Sequence, residues 1–370
     1  MTVSIGFIDL KAQYADSKEV INARIQAVLD HGQYIMGHEV PELENSLKLY
    51  TGSSYCITVS SGTEALLIAL MALGVTCGDE VITTPFTFVS TAEVIALLGA
   101  TPVFVDVEYD TCNINSELIE SAITPRTKAI MPVSLYGQIS NMDEINAIAA
   151  SHGNIPVIED AAQSFGATYK ARKSCNLSTI GCSSFFPSKP LGCYGDGGVI
   201  FTNNDRLASV MSELRVHGQG RRYHHTRVGV GGRMDTIQCA IVLAKLENFD
   251  WEVERRIVLG EHYLKLLRSV PKVEPLVVRP DRTCVWGQFT IRVSSRDVVR
   301  DRLKDAGIPT SVHYPTPLHC QPAYEGRCRL SGSLGVSENL SERVLSLPMH
   351  PYLDFDTQAR IVEAISKAVT

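Results

Sequence analysis

The stretch YCITVSSGTEALLIALMALG, residues 55–74, changes its hydrophobic period partway along. Residues 55–60 are a short apolar run typical of a buried strand, and residues 62–74 have the apolar spacing of a helix. Similar strand-like and helix-like stretches alternate as far as about residue 205. Nearly continuous apolar strands indicate burial on both faces of a sheet, and strand–helix alternation indicates parallel strands joined by right-handed crossovers. The pattern therefore predicts an α/β protein with a mainly parallel sheet.

The rest of the chain has a different pattern. Residues 234–270 are helical with a bend near 249–250, and the proline-bearing segment 273–282 marks a boundary. We therefore predict a large domain of residues 1–250 and a small C-terminal α+β domain of residues 251–370 that includes the linking helix. Further strands are predicted at 80–85, 102–107, 128–134, 156–161, 182–187, 197–203 and 286–293, and further helices at 91–99, 142–152, 205–217, 296–306, 337–346 and 356–368.

Composition and charge limit the classes of function. The 370 residues include 34 Lys and Arg against 40 Asp and Glu, a net charge of −6, so the chain lacks the basic character of a nucleic-acid-binding protein. No apolar stretch approaches the roughly 20 residues that a membrane span needs, and the N-terminus does not have the pattern of a signal peptide. We expect a cytoplasmic protein without a nucleic-acid or membrane partner.

The ten cysteines are scattered through the chain, and none forms a CxxC pair. Zinc sites need clustered ligands, and disulfide frameworks belong to small secreted domains. We therefore expect reduced, mostly buried thiols and no metal.

Three motifs follow strands of the predicted sheet. Residues 60–64, SSGTE, combine hydroxyls, a glycine and the free N–H groups of a helix start, which suits an anion, although taken alone they are more often an ordinary helix cap. Asp160 ends an apolar strand, as an acid capping the next turn also would. Lys189 lies among apolar and small residues, which lower a lysine pKa and leave a neutral, nucleophilic amine, unless this loop is simply solvated.

The three motifs together indicate one cofactor. A lysine able to form a Schiff base, an upstream carboxylate and a phosphate cradle are the parts that pyridoxal 5′-phosphate needs. Ligands of such sheets bind outside the carboxyl ends of the strands, where all three motifs fall.

The chain resembles the sugar aminotransferases of the DegT/DnrJ/EryC1/StrS family, which have the aspartate-aminotransferase-like fold (PLP fold type I). The resemblance extends from FIDLKAQ (7–13) to SLPMHPYL (346–353). Within the family it is greatest to the enzymes that act on a UDP-linked 3-keto-2-acetamido uronic acid. The motifs that carry the resemblance are VSSGTEAL (59–66), TPFTFVSTAE (84–93), IEDAAQSFGA (158–167), FFPSKPLGCYGDGG (185–198), HGQYIMG (31–37), VSLYGQ (133–138), RRYHH (221–225) and VHYPTPL (312–318).

The resemblance implies a role for each matching residue. Lys189 would hold the cofactor covalently and move the proton, Asp160 would pair with the pyridine nitrogen, and Gln163 would contact the phenolic oxygen of the ring. Phe88 would stack on the ring face, and the alternative for this residue is a place in the core. Gly62, Thr63 and Ser184 would hold the phosphate, and Gly32, Tyr34, Ser188, Arg233, His313 and Tyr314 would line the nucleotide-sugar pocket. Turn, packing or surface roles remain open for Gly32, Tyr34, Arg233 and His313.

The implied activity is transfer of the amino group of L-glutamate to C3 of the UDP-sugar, which leaves 2-oxoglutarate, in bacterial surface polysaccharide (O-antigen) synthesis. The alternative is a 4-keto nucleotide sugar as acceptor. The resemblance also implies a homodimer with active sites at its interface.

Two features of the sequence leave details of the site open. Gly231 stands where the family usually has an asparagine that reaches the cofactor phosphate from the partner subunit. The basic run at 221–225, with Arg227, is either a solvated surface or a contact for the anionic nucleotide sugar.

Overall fold

A computed structural model describes residues 5–370 of the chain. The strands are β1 (Tyr55–Val59), β2 (Glu80–Thr83), β3 (Thr101–Phe104), β4 (Thr127–Ile130), β5 (Ile158–Asp160), β6 (Thr168–Tyr169), β7 (Arg172–Lys173), β8 (Ile180–Ser184), β9 (Gly198–Thr202), β10 (Gln219–Arg221), β11 (His224–His225), β12 (Val273–Pro275), β13 (Phe289–Val293), β14 (Arg329–Leu330) and β15 (Val344–Leu347).

Helices surround these strands. The α-helices are α1 (Leu10–His31), α2 (Glu39–Thr51), α3 (Gly62–Ala72), α4 (Ser90–Leu97), α5 (Ile119–Ala122), α6 (Met142–Ser151), α7 (Asp205–Leu214), α8 (Thr236–Leu246), α9 (Phe249–Leu267), α10 (Arg296–Asp305), α11 (Gly335–Arg343) and α12 (Phe355–Ala368), and short 3-10 helices lie at Ser116–Leu118, Leu135–Gly137, Leu318–Cys320 and Pro322–Tyr324.

The main sheet has two halves, with strand orders β1-β9-β8-β5 and β14-β3-β2-β4. Parallel bridges from Ile130 to Val157 and from Val133 to Asp160 join the two halves into one layer. Strands β2, β3, β4 and β14 are parallel to their neighbours, and β5 is parallel to β8, so the prediction of a mainly parallel sheet is confirmed.

Strand β9 is the exception, since it runs antiparallel to both β1 and β8. It follows β8 through a loop without a crossover helix, and the alternation rule therefore does not apply to it. Because β1 and β8 are both antiparallel to β9, they share one direction, and β5 shares it too. The carboxyl ends of β1, β5 and β8 consequently lie at the same edge of the sheet.

Both faces of the sheet are buried, as the apolar strands predict. Val199 and Phe201 pack in a cluster with residues of α2, α6 and α8, and Ile200 between them packs with residues of α3, α4 and α7. Successive side chains of a strand point to opposite faces, so helices cover the sheet on both sides.

The C-terminal part contains the three-stranded antiparallel sheet β12-β13-β15, which packs with α9, α10 and α12. The helical segment is interrupted between α8 and α9, near the predicted bend at 249–250. The helix predicted at 337–346 is wrong at its end, because Val344–Leu347 instead pairs with β13. The division into domains at residue 250 stays a prediction.

Several parts of the fold were not predicted from the sequence, among them α1, α2 and β14. Helices α1 and α2 precede the first predicted strand, although Asp9 caps α1 through the N–H of Ala12 and Gly32 ends it at φ 70°. Strand β14 comes from the C-terminal part yet pairs with β3 in the main sheet. Its two residues are too few to produce a hydrophobic period.

All ten cysteines are free, and seven of them are buried, as expected. Among residues 5–370, every helix is too short or too polar to cross a lipid bilayer.

Candidate active site

Asp160 lies at the end of β5 with its side chain buried. The hydroxyl of Thr91 donates to its Oδ2 at 2.9 Å, and the backbone N–H of Ala162 donates to its Oδ1 at 3.2 Å. Burial raises the pKa of Asp160, while these hydrogen bonds and the charge of Lys189 act in the opposite direction. A buried carboxyl in this position ionises readily beside a cation, which a protonated pyridine nitrogen provides.

Lys189 follows β8 in a turn where its N–H donates to the carbonyl of Phe186 at 2.9 Å. Burial lowers the pKa of the Lys189 amine, which is the direction expected from the sequence, and the charge of Asp160 opposes the shift. A lowered pKa favours the neutral amine, which is the form that attacks a carbonyl carbon.

The start of α3 and the end of β8 are in close contact. Ser61 caps α3, since its hydroxyl accepts the N–H of Glu64 at 3.1 Å. A Cβ added to Gly62 would stand 2.6 Å from the Cβ of Ser184, so only glycine fits there. The hydroxyls of Thr63 and Ser90 are 2.7 Å apart. Hydroxyls and the free N–H groups of a helix start together suit a phosphate.

Gln163 is held in one orientation. Its Oε1 accepts the backbone N–H of Tyr136 at 2.7 Å, and its Nε2 donates to the Tyr314 hydroxyl at 3.2 Å. The N–H of Tyr136 can only donate, so the amide cannot be reversed without losing this bond. Tyr136 itself has φ 58°, an uncommon conformation for a bulky residue.

Phe88 is 53% exposed, so the alternative that it belongs to the core is wrong. Its ring centroid lies 6.3 Å from that of Tyr314. A half-exposed aromatic face beside Tyr314, whose hydroxyl bonds Gln163, suits a flat ring.

The imidazole of His313 is bonded on both nitrogens. Nδ1 lies 2.9 Å from the Ser346 hydroxyl, and Nε2 lies 3.3 Å from the Ser311 hydroxyl. Burial lowers the pKa of His313 to about 4, and the charge of Lys189 adds to the shift. His313 is therefore neutral at pH 7 and close enough to Lys189 to sense its charge.

Gly32 and Tyr34 lie beside the start of α8. Gly32 ends α1, which agrees with the turn alternative for this residue, and Tyr34 is 49% exposed. The carbonyl of Tyr34 accepts the N–H of Thr236 at 3.0 Å, which brings this segment next to Arg233. Ser188 precedes Lys189 and lines a small cavity with it.

The proposed phosphate cradle consists of Gly62, Thr63 and Ser184. The segment before Arg233 runs beside it, because the carbonyl of Gly232 accepts the N–H of Ser60 at 2.9 Å. A Cβ added to Gly231 would stand 3.1 Å from Cε1 of His217. The exposed imidazole of His217 thus occupies part of the space that an asparagine side chain at position 231 would need.

The basic run 221–225 falls on the exposed hairpin formed by β10 and β11. Arg227, by contrast, is ion-paired with Glu213 at 2.8 Å. The hairpin arginines remain candidates for an anionic ligand, and Arg227 has an intramolecular partner.

Three residues of the site were not predicted from the sequence, namely Thr91, Ser90 and Tyr136. Thr91 and Ser90 lie in the motif at 84–93, and Tyr136 lies in the motif at 133–138, so the motifs contain them. They are identified as site residues by their contacts with Asp160, Thr63 and Gln163. Spacing along the chain does not reveal these contacts.

Two clusters in residues 5–370 have the composition of a metal site, namely His31, His38 and Glu39, and His319, Cys320 and Glu338. In the first cluster, Nδ1 of His31 accepts the N–H of Gln33 at 3.0 Å, so its Nε2 carries the proton and donates to Glu39 at 3.0 Å. A metal-bound histidine needs the opposite arrangement, with its other nitrogen donating. The geometry thus favours a hydrogen-bonded pair.

Lys189, Asp160 and the cradle around Gly62 meet at one sheet edge, and these residues fit pyridoxal phosphate. Fold and site define a pyridoxal-phosphate-dependent aminotransferase. A model of the DegT/DnrJ/EryC1/StrS aminotransferase family matches residues 15–366, and the chain belongs to this family.

Similar proteins span nearly the whole chain. A UDP-2-acetamido-2-deoxy-3-oxo-D-glucuronate aminotransferase of Pseudomonas aeruginosa PAO1 is 56% identical, with 95% of this chain and 96% of that protein covered. The crystal structure of a family member from Brucella abortus has a TM-score of 0.96 at 40% identity, with 99% of each chain covered. The structure of NtdA from Bacillus subtilis with bound cofactor PMP has a TM-score of 0.89 at 32% identity, with 96% of this chain and 82% of that one covered.

Proposed function

We propose that the enzyme transfers the amino group of L-glutamate to C3 of a UDP-linked 2-acetamido-2-deoxy-3-oxo uronic acid. The observation that carries this proposal is the 56% identity, over nearly both full lengths, to a protein named for that 3-oxo sugar. Lys189, Asp160 and the phosphate cradle lie at the same edge of the sheet, and this arrangement supports an amino transfer that uses pyridoxal phosphate.

When bound, pyridoxal phosphate supplies an electrophilic carbon and an electron sink. Asp160, held by Thr91 and the N–H of Ala162, would keep a proton on the pyridine nitrogen. The side chains of Thr63 and Ser184 would hold the phosphate, with the N–H groups at the start of α3. Phe88 would pack against the ring.

The proton transfers belong to Lys189. Its Nζ would accept the proton from the α-carbon of glutamate and pass it on within the site; one water is consumed, 2-oxoglutarate leaves and the amino group stays with the bound cofactor. In the second half of the reaction the same Nζ would deliver a proton to C3 of the sugar as the amino group is transferred there and the keto oxygen leaves as water. Burial favours the neutral amine that this role requires, because a charged ammonium is disfavoured away from water.

The proposed assembly is a cytoplasmic homodimer with its active sites at the interface, and the proposed product serves bacterial surface polysaccharide. Support comes from the exposed apolar side chains of Tyr34, Ile35 and Met36, which lie together beside Arg233. Light scattering on the purified enzyme checks the assembly, and a monomer at micromolar concentration would contradict it.

The decisive experiment separates the two halves of the reaction. The purified enzyme with its cofactor is mixed with L-glutamate alone, and the visible band of the lysine-bound cofactor is expected to disappear as 2-oxoglutarate forms. The aminated enzyme is then given the 3-oxo uronate or a 4-keto nucleotide hexose, and the amino position in the product is read by NMR. Faster amination of the 4-keto sugar would establish the alternative substrate instead.

A further inference from the structure

Two buried threonines lie where the chain enters α4. Thr87 precedes the helix and Thr91 belongs to its first turn. The same turn carries Ser90, whose hydroxyl lies 2.7 Å from that of Thr63 in the cradle. A buried hydroxyl is costly unless it is hydrogen-bonded, so both threonines need partners.

The hydroxyl of Thr91 lies between two partners. It donates to Oδ2 of Asp160 at 2.9 Å, and its oxygen lies 3.2 Å from the oxygen of the Thr87 hydroxyl. Within residues 5–370, the latter is the one hydrogen-bond contact of the Thr87 hydroxyl. The three side chains therefore form a row of hydrogen bonds that ends at Asp160.

The direction of this row depends on the charge of Asp160. An ionised carboxylate can only accept, so Thr91 gives its single proton to Asp160 and Thr87 must donate to the oxygen of Thr91. The reverse direction needs a protonated Asp160, which would donate to Thr91 and leave Thr91 to donate to Thr87. Each direction thus corresponds to one protonation state of the acid.

Both hydroxyls favour the ionised state. Burial raises the pKa of Asp160, and the hydrogen bond from Thr91 acts in the opposite direction. A hydroxyl that accepts a hydrogen bond becomes a better donor, so Thr87 strengthens the effect of Thr91. A carboxylate stabilised in this way is less basic, and a proton that it shares with a pyridine nitrogen therefore stays on the nitrogen.

We propose that Thr87 and Thr91 are positioning residues: Thr91 holds Asp160 as an ionised acceptor, Thr87 orients the hydroxyl of Thr91, and the row keeps the proton on the pyridine nitrogen of the cofactor. Both threonines act through Asp160. Only the effect on the cofactor rests on the proposed function; the effect on Asp160 follows from the hydrogen bonds.

The first measurement uses the full chain without cofactor. Its aspartate carboxyl groups are labelled with ¹³C, the Asp160 signal is assigned by its loss in Asp160→Asn, and its chemical shift is followed against pH. In Thr91→Val the acid dissociation constant of Asp160 should fall about tenfold, because a hydrogen bond to the charged form is lost. Thr91→Ser keeps the hydroxyl and should restore the original constant.

Thr87→Val should lower the same constant by a smaller factor. The bond that it removes is longer, at 3.2 Å, and reaches Asp160 only through Thr91. The titratable groups whose charges interact with that of Asp160 are Glu159, Cys182, Lys189 and Tyr314. Every threonine variant retains these four groups, so a change in the constant reports on the hydroxyls.

Thr202→Val is the matched control. Thr202 is also a buried strand threonine, but its hydroxyl donates to the carbonyl of Thr179, at the opposite end of β8 from Lys189. This variant should leave the Asp160 titration unchanged.

The second measurement uses the holoenzyme with pyridoxal phosphate labelled with ¹⁵N at its pyridine nitrogen. At neutral pH the nitrogen shift should be that of a protonated ring in the unaltered enzyme. It should move toward the unprotonated value in Thr91→Val and by less in Thr87→Val, because a more basic carboxylate takes a larger share of the proton.

An unchanged dissociation constant of Asp160 in a folded Thr91→Val would overturn the proposal, and so would an equal change in Thr202→Val. If Thr91→Val does not fold, an unchanged constant in Thr87→Val has the same consequence. A pyridine nitrogen that does not respond when Asp160 does would overturn the effect on the cofactor. Neither measurement needs an amino donor or a sugar, so a failure of the proposed function is seen separately, in turnover assays.

Discussion

At the scale of single residues, replacing Lys189 is the most stringent test of the proposed amino transfer. Lys189→Ala removes both the covalent attachment and the proton carrier, so turnover should fall about 10³-fold or more, while added cofactor still binds through the cradle and Asp160. Steady-state turnover and equilibrium dialysis of the cofactor measure the two effects. Lys304→Ala, on the exposed side of α10, is the matched control. Retained activity in Lys189→Ala would end the assignment.

A substitution at Gly231 tests the position where the family usually has an asparagine. The neighbouring His217 imidazole is exposed and can rotate away, so Gly231→Asn should fold normally. If an asparagine here reaches the cofactor phosphate of the partner subunit, the added hydrogen bond should tighten cofactor binding about tenfold. A fluorescence titration with the cofactor measures the change. Unaltered affinity would show that backbone, water or His217 already makes this contact.

At the scale of secondary-structure elements, the junction between α3 and β8 decides whether the cradle forms. Gly62→Ala places a methyl group 2.6 Å from the Cβ of Ser184, which lies in a buried strand and cannot move away. Overpacking of this kind typically costs about 1–3 kcal/mol. We expect weakened cofactor binding and a lower melting temperature.

The control for this change is Gly335→Ala at the start of α11, where the closest atom is the Ser333 hydroxyl at 3.4 Å. It should leave cofactor affinity unaltered and stability equal or slightly higher, because alanine is the better helix former. Equal losses in the two variants would show that close packing at Gly62 is not the cause.

Elements were predictable where their hydrophobic period was long enough. The helix at 62–74 was placed within two residues of its observed end, because eleven residues of apolar spacing identify it. The end of the helix predicted at 337–346 was wrong, because its last residues are apolar in either state. There the backbone hydrogen bonds go to β13, a strand some fifty residues earlier, and no local pattern reports that partner.

At the scale of the whole molecule, Glu159 makes stability depend on pH. It is fully buried between Ser134, Ser174 and the N–H of Cys175, and burial raises its pKa to about 7. The folded protein thus binds this proton more tightly than the unfolded chain. Its contribution, about 3 kcal/mol, is fully present below about pH 4.5 and is lost as the pH rises through 7.

Glu159→Gln replaces the protonated acid by a neutral amide of the same shape. The melting temperature of this variant should vary less between pH 4.5 and 7 than that of the unaltered protein. Thermal scans of both proteins across this interval measure the difference. Parallel pH profiles would mean that Glu159 is ionised in the folded state throughout.

The sequence by itself determined most strands of the main sheet, the helices between them and the three motifs at the edge of the sheet. Apolar periods report local burial, and Lys189, Asp160 and Gly62 each follow a strand whose end is visible in the sequence. The three motifs together indicated the cofactor, and the resemblance then named the family.

Only the tertiary structure decided which distant residues act on these three. Thr91 reaches Asp160 across 69 positions of the chain, and Tyr136 reaches His313 across 177. The direction of β9 and the placement of β14 beside β3 were decided in the same way. Hydrogen bonds and close contacts act over a few ångströms in space, whatever the separation of their partners in the sequence. They therefore leave no periodic pattern in the amino-acid sequence.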